Sequence, residues 1–247
     1  MKLKFCFRLS ILLVSLLLSS CGVKSGQVHF SKQNDIQKSL EKVPSIKTLE
    51  SKVRVGISYY GKNIKGKGYL YFKEDKMRIL LLDPLKSPLF DLIVAPTFSY
   101  LVDYKNMGYI DLLIKTCVDK DIIPPNFHRV IPVFFQNLDG SLRENIEQVV
   151  FNEDATINQL DYRTFGAGTS ESVSIEYDKY IETKTGKVPT HFILQKKSID
   201  SLILNNEIEM ELYGDILVNQ EVKETLFATA RILKLRNLCW KKGNVRK

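Results

Sequence analysis

The stretch 53–94 reads VRVGISYYGKNIKGKGYLYFKEDKMRILLLDPLKSPLFDLIV, and apolar and polar side chains alternate along much of it. The period of two is clearest at Val53, Val55 and Ile57, which are separated by polar or small residues. Such alternation is typical of β-strands that bury one face, and charged turns such as KEDK separate the apolar runs. Strands are therefore predicted over 53–59, 68–72, 77–82 and 89–94.

The pattern continues on the C-terminal side of this stretch. Two further short strands are predicted over 98–103 and 107–111, so that six strands joined by tight turns form an antiparallel meander. Strands return much later in the chain, over 173–177, 192–194 and 208–212, each with apolar residues at every second position. The sequence therefore predicts an α+β fold in which an antiparallel sheet has two halves.

A helical stripe separates these two halves. Pro124 and Pro125 suit a helix start, Pro132 is expected to kink the helix, and Gly140 is the expected stop. The apolar residues of the stripe, at helical spacing, are Phe127, Val130, Ile131, Phe134 and Leu138.

The chain begins with a basic head, Lys2, Lys4 and Arg8, followed by an apolar run over 9–18. This run is too short to span a bilayer, which needs about 20 residues, and it is typical of a secretory signal. It ends in Leu18-Ser19-Ser20-Cys21, which resembles the bacterial lipobox. The resemblance implies diacylglycerol on the Cys21 thiol, cleavage before it, and acylation of the new amine by a fatty acid such as palmitate. An ordinary export signal with a chance cysteine is the alternative.

Replacing Cys21 with alanine is expected to abolish lipid labelling and to leave an unprocessed precursor, because the thiol is the attachment point. Incorporation of a labelled fatty acid and the gel mobility of the chain measure both effects. Unchanged labelling would end the lipoprotein interpretation.

The expected cleavage defines the predicted domain organisation. Residues 1–20 form the signal peptide, 21–33 a lipidated polar tether, 34–217 one folded domain, and 218–247 an extension that is amphipathic in parts and basic at its end, with no structure assigned. Gly22 at the second mature position is compatible with sorting to the outer membrane. Because several acyl chains are attached, we expect permanent anchoring on the periplasmic face of that membrane.

Charge and cysteine content limit the partners. Removing the signal peptide leaves 227 residues and lowers the formal charge from +8 to +5. The remaining basic residues are scattered, which argues against a nucleic-acid partner, and a monomer is expected. Cys117 and Cys239 remain in an oxidising compartment, but their spacing has no signature, so their pairing is left open.

Catalytic motifs are missing from the sequence. The three histidines, His29, His128 and His191, are expected to be solvated, and no metal-ligand spacing, nucleophile elbow or phosphate-binding glycine loop occurs. Ser39 and Lys42 have the spacing of penicillin-recognising enzymes, as chance alone would produce. We expect no enzyme activity, no catalytic residue, no cofactor and no metal.

The region 49–214 resembles the LolA/LolB superfamily of lipoprotein-localisation proteins, and within it the LolB-type outer-membrane receptors. The likeness rests on a small residue near Gly56, the aromatic strand 69–72, the RILLL run at 78–82, and Pro84-Leu85. The segments IPPNFHRVIPVFFQNL (123–138) and KVPTHFILQ (187–195) also look like family elements. Lys86 departs from the pattern, since glycine usually follows Pro-Leu.

This resemblance implies a strongly curved, incomplete barrel whose helices cover the concave face around an apolar cavity. Such a cavity binds acyl chains of lipoproteins by the hydrophobic effect, after a soluble periplasmic carrier delivers them. Filling an ordinary core is the alternative for each lining residue. The predicted lining is Val55, Ile57, Leu70, Phe72, Ile79, Leu81, Phe90, Leu92, Phe98 and Tyr100, with Val130, Ile131 and Phe134 as the lid.

The Pro84-Leu85 pair is the second expected site. In the receptor family the matching leucine lies in an exposed loop and helps to transfer cargo into the bilayer. Folding back onto the sheet as a cap is the alternative for Leu85. The alternative function is that of a lipoprotein of the same fold that binds another lipid, or that acts as a structural or sensor protein of the envelope.

Overall fold

One large, curved and open sheet organises the chain in the computed structural model, which describes residues 27–59, 62–113, 127–138, 140–166, 169–197 and 207–238. The helices are α1 (Gln33–Leu40) and α2 (Phe127–Phe134). Short 3₁₀ segments lie at Gly140–Asn145, Glu224–Phe227 and Ile232–Lys234. The strands are β1 (Val28–Phe30), β2 (Thr48–Tyr59), β3 (Lys62–Lys73), β4 (Lys76–Leu82), β5 (Pro88–Val94), β6 (Ser99–Asp103), β7 (Gly108–Asp111), β8 (Ile146–Phe151), β9 (Ile157–Gly166), β10 (Thr169–Thr183), β11 (Gly186–Lys197), β12 (Glu207–Val218) and β13 (Arg236–Asn237).

The strand order is β1-β8-β9-β10-β11-β12-β2-β3-β4-β5-β6-β7-β13. Strands β2 to β7 are consecutive neighbours, so the predicted six-stranded meander is confirmed. Strand β12 pairs with β2 and so joins the half formed by β8 to β12 to the half formed by β2 to β7. In the chain, α2 lies between β7 and β8. Every pairing is antiparallel except that of β13 with β7.

Alternation along the strands separates two faces of the sheet. The inner face carries Leu49, Leu70, Phe72 and Ile79, which are buried in one large core cluster. Side chains of α1 and α2 belong to the same cluster, so both helices lie against the inner face. That this face is the concave one, with the helices as its cover, stays a prediction.

A C-terminal strap, residues 219–238, lies on the opposite, outer face. Val222, Phe227 and Ile232 of the strap are buried, and Ile232 packs with Ile93 and Val102 in a second core cluster. The strap ends in β13, which pairs with β7 and forms that edge of the sheet. Part of the extension for which the sequence predicts no structure is therefore an ordered cover of the outer face.

The helix α2 ends earlier than its apolar stripe. Gln136 has φ of 56°, and the N–H of Asn137 donates to the carbonyl of Pro132 at 2.8 Å. The N–H of Gln136 likewise donates to the carbonyl of Val133 at 3.0 Å, which completes a Schellman-type end. The expected stop at Gly140 is therefore wrong, because a left-handed glutamine ends the helix four residues before it.

Four strands have no counterpart in the sequence-based prediction, and one of them is β13 in the strap. Strands β8 and β9 are paired with register shifts, which interrupt the period of two on which strand prediction depends. Strand β1 comes from the segment 21–33 that was expected to be a polar tether, and it pairs with β8. The predicted late strands 173–177, 192–194 and 208–212 lie within β10, β11 and β12.

Candidate functional site

The turn between β4 and β5 holds one leucine in solvent. The N–H of Lys86 donates to the carbonyl of Asp83 at 3.0 Å, and the N–H of Asp83 donates to the carbonyl of Ser87 at 2.9 Å. The Asp83 carboxylate accepts the N–H of Ser87 at 2.8 Å, and Pro84 stiffens the turn through its fixed φ. Leu85 at the tip is 86% exposed. The structure therefore favours the exposed position of Leu85 over the cap on the sheet.

Lys86 has φ of 65°, in the left-handed region. A residue with a Cβ is strained there, and glycine is not. The backbone of this turn thus explains why a glycine suits the position after Pro84-Leu85, and Lys86 adopts that left-handed conformation despite its Cβ.

A groove of about 630 Å³ lies beside this turn. Of the residues predicted to line an acyl-chain cavity, only Val55 borders it. Arg54 in its wall makes an ion pair of 2.8 Å with Glu211, and its guanidinium lies 4.5 Å from the centre of the Tyr213 ring. The groove therefore has a mixed-charge wall. Its lining is Arg54, Val55, Gly56, Lys65, Gly66, Lys67, Leu82, Asp83, Pro84, Leu89, Glu209 and Glu211.

Most of the predicted lining residues come together on the inner face, where they are packed. Fully or almost fully buried are Val55, Leu70, Phe72, Ile79, Val130, Ile131 and Phe134. Partly buried against the same cluster are Ile57, Leu81 and Leu92, and the half-buried Phe90 pairs with Leu81. Their role in acyl-chain binding stays a prediction.

Phe98 and Tyr100 are not brought together with the others. Both pack in the second cluster, around Ile93, Val102 and Ile232. Tyr100 pairs with Ile93, while Leu92 pairs with Leu101, so Tyr100 and Leu92 point to opposite faces of the sheet. The thirteen predicted residues therefore do not all line a single cavity on the inner face.

Aromatic rings hold α2 against the inner face. The Phe134 ring stacks 5.0 Å from Phe192, and the Phe135 ring lies 4.6 Å from Phe72. The Tyr177 hydroxyl donates to the carbonyl of Val133 at 2.7 Å, and burial raises the pKa of Tyr177 well above its usual value. The α2 region is therefore packed directly against the inner face of the sheet.

A buried ion pair that the sequence patterns did not predict lies on the outer face. Arg78 donates from Nε and Nη2 to both carboxylate oxygens of Asp91, at 2.9 and 2.7 Å, and the Asp91 side chain is 1% exposed. The Nη1 of Arg78 donates to the carbonyl of Leu226 in the strap at 2.7 Å. Burial lowers the pKa of Arg78, but the hydrogen bonds and charge of Asp91 outweigh it and raise that pKa overall. An aspartate within the apolar run FDLIV was the available signal.

The histidines and cysteines can be placed only in part. His29 is exposed, as expected. The prediction that His191 is solvated is wrong, because its side chain is only 12% exposed and its Nε2 lies 2.9 Å from Glu209 Oε1. The side chain of His128 and residues Cys21, Cys117 and Cys239 lie outside the described part of the chain.

Two further observations concern only the described residues. No three histidine, cysteine, aspartate or glutamate side chains in this part of the chain come together as a possible metal site. Nor does this part contain a helix that is both long and apolar enough to cross a bilayer.

Comparison with known proteins gives structural neighbours alone, because no protein-family model and no curated protein sequence matches the chain. A LolA superfamily protein from Nitrosomonas europaea is 9% identical, with 78% of this chain and 97% of that chain covered and a TM-score of 0.46. A putative outer membrane lipoprotein-sorting protein domain from Vibrio parahaemolyticus is 7% identical, with 81% and 97% covered and a TM-score of 0.48. A DUF1329 family protein from Desulfovibrio piger is 6% identical, with 81% and 97% covered and a TM-score of 0.46. The chain is thus similar in outline to LolA-superfamily and lipoprotein-sorting structures, at levels too low to assign it to a family.

Proposed function

We propose that this chain is an outer-membrane lipoprotein, anchored through Cys21, that binds the acyl chains of lipoproteins and helps to insert them into the outer membrane. The single observation that carries the proposal is Leu85, which is 86% exposed at the tip of a hydrogen-bonded turn. The lipobox-like sequence that ends at Cys21 supports the proposed membrane location.

The exposed leucine supports contact with an apolar partner. Full burial of a leucine side chain stabilises a folded or bound state by roughly 1.5–3 kcal/mol relative to exposure to water. An exposed leucine does not make this contribution until a partner covers it. Because the turn already holds its shape, little conformational entropy is lost when Leu85 enters hydrocarbon. A rigid turn with an outward leucine therefore suits repeated, reversible contact with a membrane.

The inner face is the proposed acyl-chain site. In the described conformation the Phe134 ring of α2 fills this face, so an acyl chain takes the place of α2 side chains when it binds. Binding of this kind uses the hydrophobic effect and needs no covalent step, so the proposed role is transfer and not catalysis. A soluble periplasmic carrier would supply the acylated cargo.

Replacing Leu85 with glutamate is expected to impair delivery of lipoproteins to membranes while leaving the fold intact. Surface substitutions usually change the free energy of unfolding by no more than about 0.5 kcal/mol, and Leu85 contacts little of the protein. Thermal unfolding, binding of an acylated peptide, and transfer of a labelled lipoprotein to vesicles measure the three properties separately.

Ile181→Glu is the matched control, since Ile181 is 37% exposed and lies near the β10–β11 turn. Strands β4 and β10 run in opposite directions, so this turn lies at the other strand ends. Normal delivery by the Leu85 variant, or a large loss of its stability, would remove Leu85 from the mechanism.

A second candidate function is supported by the packing of the inner face. The predicted lining residues Leu70, Phe72 and Val130 are 0% exposed, as in an ordinary core. A structural or sensor lipoprotein of the envelope, or one that binds another lipid, needs no acyl-chain site there. Mass spectrometry of ligands that copurify with the protein separates the candidates, because lipopeptides favour transfer and free lipids, or no ligand, favour the second function.

A further inference from the structure

The turn between β6 and β7, like the turn that carries Leu85, is held by an aspartate carboxylate and contains a left-handed residue. The Asp103 carboxylate accepts the backbone N–H of Asn106 at 3.0 Å and its side-chain amide at 2.6 Å. The N–H of Met107 donates to the carbonyl of Tyr104 at 3.3 Å. Met107 has φ of 47° and is 62% exposed. A second fixed turn therefore holds a second large apolar side chain in solvent.

The two turns are neighbours at the same strand ends. Strands β4 and β6 run in the same direction, and each turn follows one of them. Two strand spacings separate equivalent points on β4 and β6, which is about 10 Å. The N–H of Tyr104 in the second turn also donates to the carbonyl of Leu89, just after the first turn, at 3.1 Å. Leu85 and Met107 thus belong to one end of the sheet.

Exposed lysines lie in and beside the two turns. Lys86 and Lys105 lie in the turns, and Lys65 and Lys67 lie on β3 beside the groove. None of the four makes an ion pair with any residue in the part of the chain that the structure describes. The nearby carboxylates of Asp83 and Asp103 are hydrogen-bonded to the turns themselves.

Several lysines at the opposite strand ends make ion pairs. Lys73 and Lys76, next to the β3–β4 turn, both pair with Glu224. Lys187, next to the β10–β11 turn, pairs with Asp154 at 2.8 Å, and its hydrogen bond lowers the pKa of Asp154 to about 2. Exposed lysines that make no ion pair with a described residue therefore accompany both apolar tips, while Lys73, Lys76 and Lys187 at the opposite strand ends are paired.

We propose that the two turns form one docking surface for a bilayer with anionic headgroups. Leu85 and Met107 enter the apolar region together, while Lys86 and Lys105 bind headgroup phosphates, with Lys65 and Lys67 behind them. The inference rests on the proposed function for its membrane, and it adds a second tip and a preference for lipid charge. Attraction to an anionic leaflet and burial of apolar tips act on the same surface and reinforce each other.

Single-cysteine probes on the full, lipid-anchored chain test this surface. An environment-sensitive fluorophore is placed at Leu85→Cys, Met107→Cys or, as a control, Ile181→Cys, in a background that carries Cys117→Ala and Cys239→Ala. The proteins are reconstituted in vesicles of phosphatidylcholine with or without phosphatidylglycerol, each with doxyl-labelled lipid as a quencher. Thermal unfolding of each labelled protein checks the fold.

Quenching at positions 85 and 107 is expected in the phosphatidylglycerol vesicles, and none at 181. Neutralising Lys86 and Lys105 with glutamine is expected to lower the docking constant roughly fivefold for each lysine, as high salt also does. Lys184→Gln with Lys223→Gln, two exposed lysines outside both turns, is the matched control and is expected to change little.

The outcomes separate this inference from the proposed function. Quenching at 85 without quenching at 107 overturns the second tip and leaves the proposed function standing, whereas water-exposed probes at both positions overturn both. Equal quenching in phosphatidylcholine alone overturns the preference for anionic headgroups. Shielding of both probes by an acylated carrier protein, but not by vesicles, assigns the surface to a protein partner and overturns the inference.

Discussion

Replacing Asp91 with alanine is expected to lower the free energy of unfolding by about 3–5 kcal/mol, the cost of removing one partner from a buried ion pair. The Asp91 side chain is 1% exposed and receives two hydrogen bonds from the Arg78 guanidinium. Without the carboxylate, Arg78 keeps a charge in a place where water reaches it poorly. Chemical denaturation measures the loss.

The same change is expected to loosen the C-terminal strap. The Arg78 guanidinium joins Asp91 on β5 to the carbonyl of Leu226 in the strap, so its orientation depends on both partners. The Tyr104 hydroxyl also donates to Asp91 at 3.3 Å, and burial together with the Asp91 charge raises the pKa of Tyr104. The expected signature is that Asp91→Ala accelerates amide hydrogen exchange more over 219–238 than over β10 and β11.

Two variants serve as controls for this prediction. Glu147→Ala removes one partner of an ion pair with Arg163 whose side chains are 30% and 50% exposed, and it is expected to cost at most about 1 kcal/mol. The double change Arg78→Met with Asp91→Leu removes both charges and is expected to recover most of the loss. A cost for Asp91→Ala as small as that for Glu147→Ala would show that the pair does not hold the strap.

Replacing Phe134 with alanine is expected to lower the free energy of unfolding by about 3–5 kcal/mol in the absence of ligand. Phe134 is 2% exposed, stacks 5.0 Å from Phe192, and lies 5.1 Å from the Phe135 ring. The variant leaves a space on the inner face that the two helices cannot easily fill. For a chain of this length each kcal/mol corresponds to about 2–4 °C in Tm.

An acylated peptide is expected to raise the Tm of Phe134→Ala more than it raises the Tm of the unchanged chain. The acyl chain occupies the space that the ring leaves, and a ligand that binds only the folded state stabilises it. Phe227→Ala is the matched control, because Phe227 is 3% exposed but lies in the strap on the outer face. It is expected to lower stability without any greater response to the peptide.

The response to the peptide also distinguishes the two candidate functions. If the peptide stabilises neither the unchanged chain nor Phe134→Ala, the inner face is an ordinary core and the transfer function fails. The exposed turn with Leu85 would then need another explanation, which the structural or sensor role would have to provide.

Part of this fold could be predicted because its signals are local. The alternation in 53–94 places Val53, Val55 and Leu70 on one face of neighbouring strands, and the structure buries all three. The proline-rich turn between two such strands left two positions open for Leu85, an exposed tip or a cap on the sheet, and the structure has it exposed. The end of the signal peptide likewise depends on adjacent residues, so the prediction for Cys21 needs no fold, although it lies outside the described residues.

Other features depend on contacts between residues that are far apart in the chain. Tyr100 follows the same alternation as its neighbours, but which face it joins is set by pairing with Ile93 and by the strap residue Ile232, more than 100 residues later. Pairing of β4 to β7 in register brings Arg78 to Asp91 and places the turns of Leu85 and Met107 at one end of the sheet. The same pairing forms the outer face that the strap covers. A period of two specifies which side chains share the buried face of a strand, but tertiary packing chooses the partner that buries them. The reason is that burial of apolar surface stabilises in proportion to its area, whichever apolar side chain covers it.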